Sequence, residues 1–225
     1  MIIIQIETAT TVCSVALAKD GQLVAVKELN ERNVHAEVIT VFIDELLKGA
    51  GLTYADVAAV AVSSGPGSYT GLRIGVSTAK GLCFALDKPL IAVDTLEAMA
   101  LGMIEKGVAP DTLLCPMIDA RRMEVYTALF DAQGNRLLPT AAEIIDENSF
   151  ATQLQKSKVL FFGDGAQKCG DVLGANTNAV FNEGFENSAT HLTAKALLKF
   201  NLQQFEDVAY YEPYYLKDFL ITKKA

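Results

Sequence analysis

Only two histidines, His35 and His191, occur in the 225 residues. A metal held by paired imidazoles needs both on one helix face, as an H-x-x-x-H spacing supplies. The residue four after His35 is Ile39, and His191 opens a separate late segment. No metal site is expected, and His35 reads as a polar residue at a helix start. Neither histidine is tied to a serine or cysteine by any sequence signal, so a protease-type nucleophile and base have no support. Cys13, Cys83, Cys115 and Cys169 stand singly among apolar residues with no C-x-x-C. That argues against a zinc or disulfide framework and predicts buried, reduced thiols. No basic run exceeds Lys223-Lys224, and the formal charge is −8. A chain that binds tRNA unaided needs a basic face, because phosphate neutralisation supplies most of the affinity. Apolar stretches are broken by Asp44, Glu45 or Lys80 before membrane-spanning length, and Met1 runs into Ile2-Ile3-Ile4 without a basic leader. A soluble cytoplasmic protein without membrane contact is expected.

Half of the residues are hydrophobic, enough for a substantial core. The most informative segment is Ser64-Gly65-Pro66-Gly67-Ser68-Tyr69-Thr70-Gly71-Leu72-Arg73-Ile74-Gly75, which joins a strand-like run at 58–62 to a helix-like run at 72–86. The first turn of such a helix carries free N–H groups that suit an anion. A Walker A loop requires lysine and a hydroxyl after its glycine run, and Leu72-Arg73 stands there instead. A nucleophile elbow fails as well, with Tyr69 at the serine position. The plain alternative is a tight turn with Thr70 as helix N-cap.

Strands are predicted over 1–7, 12–18 and 23–28, with Asp20-Gly21 as hairpin turn. A helix over 35–48, the strand at 58–62, the helix at 72–86, a strand over 89–93 and a helix over 96–106 capped by Thr95 follow. From Leu113 the series begins again. Asp119 ends a strand as Glu7 does, Ala128-Leu129 stands nine and ten residues after it as Ala16-Leu17 stands after Glu7, and Gln133-Gly134-Asn135 repeats the hairpin signal. A helix near 149–156, a strand over 159–162, the turn Gly163-Asp164-Gly165 and a helix over 190–205 complete the pattern. A duplicated unit of this kind predicts an α/β protein whose working edge lies at the strand C-termini, near Glu7, Asp119 and Ser64.

The acid-Thr turn after the first strand, the duplicated βββαβα unit and the late glycine turn resemble the actin, sugar-kinase and Hsp70 ATPase superfamily. Closer still, Ile6-Glu7-Thr8-Ala9-Thr10, the segment from Gly65 to Gly75, Ile118-Asp119-Ala120-Arg121 and Glu212-Pro213-Tyr214-Tyr215-Leu216 look like the TsaB (YeaZ) family over nearly the full length. The resemblance implies an actin-like (ribonuclease H-like) ATPase-type fold in two lobes, 1–110 and 111–225, the second ending in an aromatic tail. It implies a non-catalytic subunit working with TsaD, which carries the catalytic site, and the ATPase TsaE. That assembly uses ATP and Mg to move a threonylcarbamoyl group from threonylcarbamoyl-AMP to N6 of the adenosine beside the anticodon, in tRNAs reading codons that begin with A. This chain would bind no cofactor itself and would meet tRNA only through the complex. Glu7, Thr8, Thr10, Gly65, Gly67, Ser68, Asp119, Gly163 and Gly165 would be vestiges of phosphate or nucleotide loops, with Asp164 where the superfamily holds adenosine. Glu7 departs from the usual aspartate, which weakens phosphate or metal chemistry there. Beside Arg121 and Arg122, Asp119 reads as an ion-pair or loop-ordering residue more than as an acid/base partner of Glu124. An independent kinase or ATPase, or a glycoprotease-like peptidase, is the alternative.

Both long helices carry more apolar surface than one sheet-facing stripe requires. Val38, Ile39, Phe42, Ile43 and Leu46 on the first, with Leu72, Ile74, Gly75, Val76, Ala79 and Leu82 on the second, are the expected interface with TsaD, or with a second copy in a homodimer when the chain is alone. Residues 210–217 are too aromatic for a free linker and are expected to dock on the chain's own surface or to grip a partner.

Overall fold

The computed structural model describes residues 1–217; Lys223-Lys224 and the end of the expected second lobe, 218–225, lie outside the described residues. The first half runs β1 (Ile2–Glu7), β2 (Val12–Lys19), β3 (Gln22–Asn30), α1 (His35–Gly49), β4 (Val57–Ser63), α2 (Tyr69–Leu86), β5 (Leu90–Val93) and α3 (Thr95–Glu105). The second runs β6 (Leu113–Asp119), β7 (Glu124–Phe130), β8 (Arg136–Ile144), α4 (Ala151–Leu154), β9 (Val159–Phe162), α5 (Gly170–Leu173), β10 (Ala179–Asn182) and α6 (Thr193–Asn201). Each half forms a five-stranded sheet, ordered β3-β2-β1-β4-β5 and β8-β7-β6-β9-β10, so the two share one topology. In both, the first three strands pair antiparallel and the later ones parallel.

The run Ile2-Ile3-Ile4 is buried throughout because β1 is a central strand covered on both faces. Ile2, Ile4 and Ile6 meet α1 and α2, while Ile3 meets the layer containing α3 and α6. The far side of α3 packs through Leu96, Met99 and Met103 on Leu114, Ile118 and Phe130 of the second sheet. The outer face of that sheet is closed by Leu154 of α4 and Leu173 of α5. Helix α3 thus stands between the sheets, and the β1 and β6 C-termini point into the space beside it. Leu192 and Ala196 pack on the first sheet, so the chain near α6 returns to the first lobe from beyond the expected division at 110.

Asp20 and Gly21 both have positive φ, at 51° and 80°, as the predicted two-residue hairpin requires. Several local expectations are corrected. Ser68, not Thr70, caps α2 by accepting from Gly71 N–H, and Asp94, not Thr95, caps α3 by accepting from Glu97 N–H. A hydroxyl in the first turn yields to a cap that precedes it. The Ala-Leu pairs used to align the halves are one residue out of step. Ala16 faces Gln5, two before Glu7, whereas the residue facing Met117, two before Asp119, is Thr127 and not Ala128. The helices expected over 149–156 and 190–205 shrink to α4 and to a 3-10 turn, Ala189–Leu192, followed by α6. Helix α5 and strand β10 were not foreseen.

Candidate functional site

The turn after β1 is closed from above by α2. Glu7 is buried; its Oε1 accepts from Ala9 N–H at 2.6 Å and from the Ser63 hydroxyl at 3.0 Å. Burial outweighs these bonds and pushes the carboxyl up to about 7. Gly71 and Gly75 line the side of α2 that meets this turn, and Gly67 meets it just before the helix. A Cβ at Gly71 would stand 2.1 Å from the Thr8 carbonyl oxygen, and one at Gly75 would stand 2.2 Å from Thr8 Oγ1. These glycines therefore serve the chain's own turn, Gly75 among them. Gly71→Ala should cost about 2–3 kcal/mol and lower the melting temperature by about 5–10 °C. Gly81→Ala, with nothing within 4 Å of the added methyl, should melt no lower than the parent.

The equivalent turn of the second lobe is open. Asp119 is exposed, pairs with Lys168 and accepts from Arg121 N–H at 2.8 Å, so it orders its loop through backbone and lysine, not through an arginine pair. Asp164 accepts from Asp119 N–H at 3.0 Å. Gly163 and Gly165 press on the backbone of Met117 and Ile118, which sets their turn against β6. Glu7 and Asp119 do not face one another, since the first is sealed inside its lobe and the second borders solvent. Between the lobes lies a cleft of about 620 Å³, lined by Thr10, Arg32, His35, Gly67, Ser68, Tyr69, Asp119, Arg121, Tyr126 and Tyr215 among others.

Both histidines have structural duties. His35 Nε2 lies 3.1 Å from the Thr10 carbonyl, tying the start of α1 to the β1–β2 turn. His191 stacks on Phe185 and abuts Gly102, and burial drives its imidazole down to about 4. All four cysteines are free and buried. Among the described residues no group of three or more His, Cys, Asp or Glu side chains is arranged to hold a metal, and no helix is long and apolar enough to cross a membrane.

The α1–α2 layer divides the expected interface residues. Ile39, Ile43, Leu46, Leu72, Gly75, Val76 and Ala79 are buried against β1, β2 and β4 or the Thr8 turn, and cannot meet a partner; this corrects their assignment to a contact surface. Val38, Phe42, Ile74 and Leu82 are half-buried at the margins, Phe42 lying under Lys27. The outward face instead carries Val41, 49% exposed, and Phe84, 85% exposed. Ser77, Gly81 and Ala85, all exposed, form a ridge of small residues at four-residue spacing along α2. That spacing was the signal in the sequence for this face.

The tail docks on its own chain. Lys80 Nζ donates to the carbonyls of Ala209 and Tyr211, Tyr214 N–H donates to the Ser64 carbonyl, and the Tyr215 and Tyr69 rings lie 4.7 Å apart. Lys217 pairs with Glu124 of the second lobe, so the strap runs from α2 across the cleft mouth.

A family model for tRNA N6-adenosine threonylcarbamoyltransferase (TsaD) matches residues 26–218. The chain is 34% identical to the tRNA threonylcarbamoyladenosine biosynthesis protein TsaB of Escherichia coli K12, over all of this chain and 98% of that one. It is 40% identical to the Haemophilus influenzae protein of the same name over 55% of this chain and 51% of that one. Among solved structures, a Pseudomonas aeruginosa protein described as similar to peptidase YeaZ superposes with a TM-score of 0.82 at 25% identity, covering 96% of this chain and 99% of that one. A polyphosphate/ATP-glucomannokinase from an Arthrobacter species superposes with a TM-score of 0.50 at 13% identity, covering 90% and 99%. That likeness concerns the fold, which is the two-lobed actin-like one.

Proposed function

Because this chain belongs to the TsaB family of tRNA threonylcarbamoyladenosine biosynthesis proteins, we propose that it works in that biosynthesis as a cytoplasmic, non-catalytic subunit, docking α1 and α2 on a TsaD-type transferase. The observation that carries this reading is the exposed apolar surface of those helices: Phe84 stands in water beside the Ser77-Gly81-Ala85 ridge of α2, and Val41 is exposed on α1. A ridge of small residues lets a second helix approach closely while the large side chains bury against it, and such a patch on a folded chain marks an association surface. A second copy of this face would serve the same end when the transferase is absent, giving a homodimer.

The closed β1–β2 turn supports the absence of chemistry in this subunit. Thr8 and Glu7 are taken up by the chain's own packing, Thr8 against α2 and Glu7 through bonds to Ala9 N–H and Ser63. ATP and Mg then belong to the assembly, through a TsaE-type ATPase and the transferase. The complex moves threonylcarbamoyl from its adenylate to N6 of the adenosine beside the anticodon.

Phe84→Glu combined with Val41→Glu tests the reading, since both sites are exposed and the fold should tolerate them. Size-exclusion chromatography with light scattering should show a monomer that no longer co-elutes with TsaD. Reconstitution with TsaD, TsaE, ATP, threonine, bicarbonate, the adenylate synthase and tRNA should then yield modified adenosine at the level seen without this chain. Unchanged pairing and yield would sink the proposal.

A further inference from the structure

The chain has five arginines, and four of them, Arg32, Arg73, Arg121 and Arg122, sit at or beside the mouth of the interlobe cleft. The fifth, Arg136, pairs with Asp94. Arg32 comes from the β3–α1 connection, Arg73 from α2, and Arg121 and Arg122 from the β6–β7 turn, so both lobes contribute. All four are exposed. Of the acids at this rim, Asp119 pairs with Lys168, Glu124 pairs with Lys217 and Asp164 accepts from Asp119 N–H, whereas Arg32, Arg121 and Arg122 make no ion pair among the described residues. Arg121 and Arg122 are held at φ of 71° and 47°, a conformation costing non-glycine residues about 1 kcal/mol or more. Tyr69, Tyr126 and Tyr215 line the same mouth, and Arg73 lies 4.6 Å over the Tyr69 ring.

We infer that this rim is a contact site for RNA backbone phosphates, flanked by the Tyr126 ring and by the packed Tyr69–Tyr215 pair. Guanidinium groups bind phosphate through paired donors, and aromatic platforms beside cations suit single-stranded nucleic acid. The arginines lie on the rim and come from both lobes, which favours an extended backbone over a free nucleotide. A chain of net charge −8 with one arginine-lined mouth adds a few contacts to an affinity supplied mainly by its partner. The inference rests on the reading of a tRNA-modifying assembly, and it locates this chain's share of the tRNA contact.

The test compares the parent with the Arg32→Ala, Arg121→Ala, Arg122→Ala triple variant, each assembled with TsaD, by titrating fluorescent tRNA across a salt series. Loss of three phosphate contacts should lower the slope of log K against log salt by about 2 and weaken binding roughly tenfold or more at low salt. Lys19→Ala with Lys156→Ala and Lys158→Ala, three exposed lysines outside the cleft lining, is the charge-matched control and should change neither. The same variants alone, crosslinked at low salt to an anticodon stem-loop, keep the test independent of assembly. Failure to pair with TsaD refutes the functional reading, while arginine-dependent crosslinking would still uphold the RNA site. An unchanged slope and crosslink, or arginine-dependent binding of free AMP or ATP with no effect on RNA, would overturn it.

Discussion

Ile39→Glu is expected to leave no folded protein at growth temperature, although the helical pattern alone makes Ile39 as eligible for a partner surface as Val41. Ile39 is 1% exposed within the first lobe's core. The substitution removes a buried aliphatic side chain and installs a carboxylate with no cation to meet it, on the order of 5 kcal/mol. A domain of this kind has about 5–15 kcal/mol of total stability. Val41→Glu, two residues on, should shift stability by about 0.5 kcal/mol or less. Circular dichroism melts of the two variants decide the matter; an Ile39→Glu protein melting within a few degrees of the parent would mean that α1 does not pack as described.

The second large effect concerns pH. Glu7 has its carboxyl raised from 4.5 to about 7, so the folded state holds its proton more tightly than the unfolded chain does. Its contribution is complete below pH 4.5 and is lost as pH climbs through 7. His191 is the reverse: lowered from 6.5 to about 4, it contributes fully above pH 6.5 and loses that contribution as pH falls through 4. Each shift corresponds to about 3 kcal/mol, and across the shared window the two slopes cancel. The parent should therefore show nearly level stability from pH 4.5 to 6.5 as far as these groups act. Glu7→Gln should unmask stability rising with pH by about 1.4 kcal/mol per unit, and His191→Phe should unmask a fall of the same size. Urea melts at four or five pH values measure both, and parallel profiles for the three proteins would contradict the burial of these groups.

Much of the architecture was legible because its signals are local. Ile2-Ile3-Ile4, the Asp20-Gly21 turn and the apolar run of β4 each announce themselves within a few residues, and they fix the order of the first lobe. The second lobe was harder to read. Helices α4 and α5 have four residues each, too few for a 3.6-residue period to emerge, and β10 is a short edge strand between asparagines. The surface was harder again. Helical periodicity tells which side chains share a direction but not how far the sheet and the neighbouring helix reach around. Ile39 and Val41 differ only through that reach. Likewise Gly71 and Gly81 look alike in the chain, yet one is pressed on the Thr8 carbonyl and the other faces open space. The arginine rim draws on three separate segments that only the completed fold brings together.

The halves share a topology but not a girth: α1 and α2 have 15 and 18 residues, and their counterparts α4 and α5 have four each. A duplicated chain with two equal helical flanks would carry two sticky sides and could string head to tail into an open filament. Here one flank has been pared back to single turns. A molecule with a single such side offers one place for this kind of contact, so under the proposed docking that contact would stop at a pair.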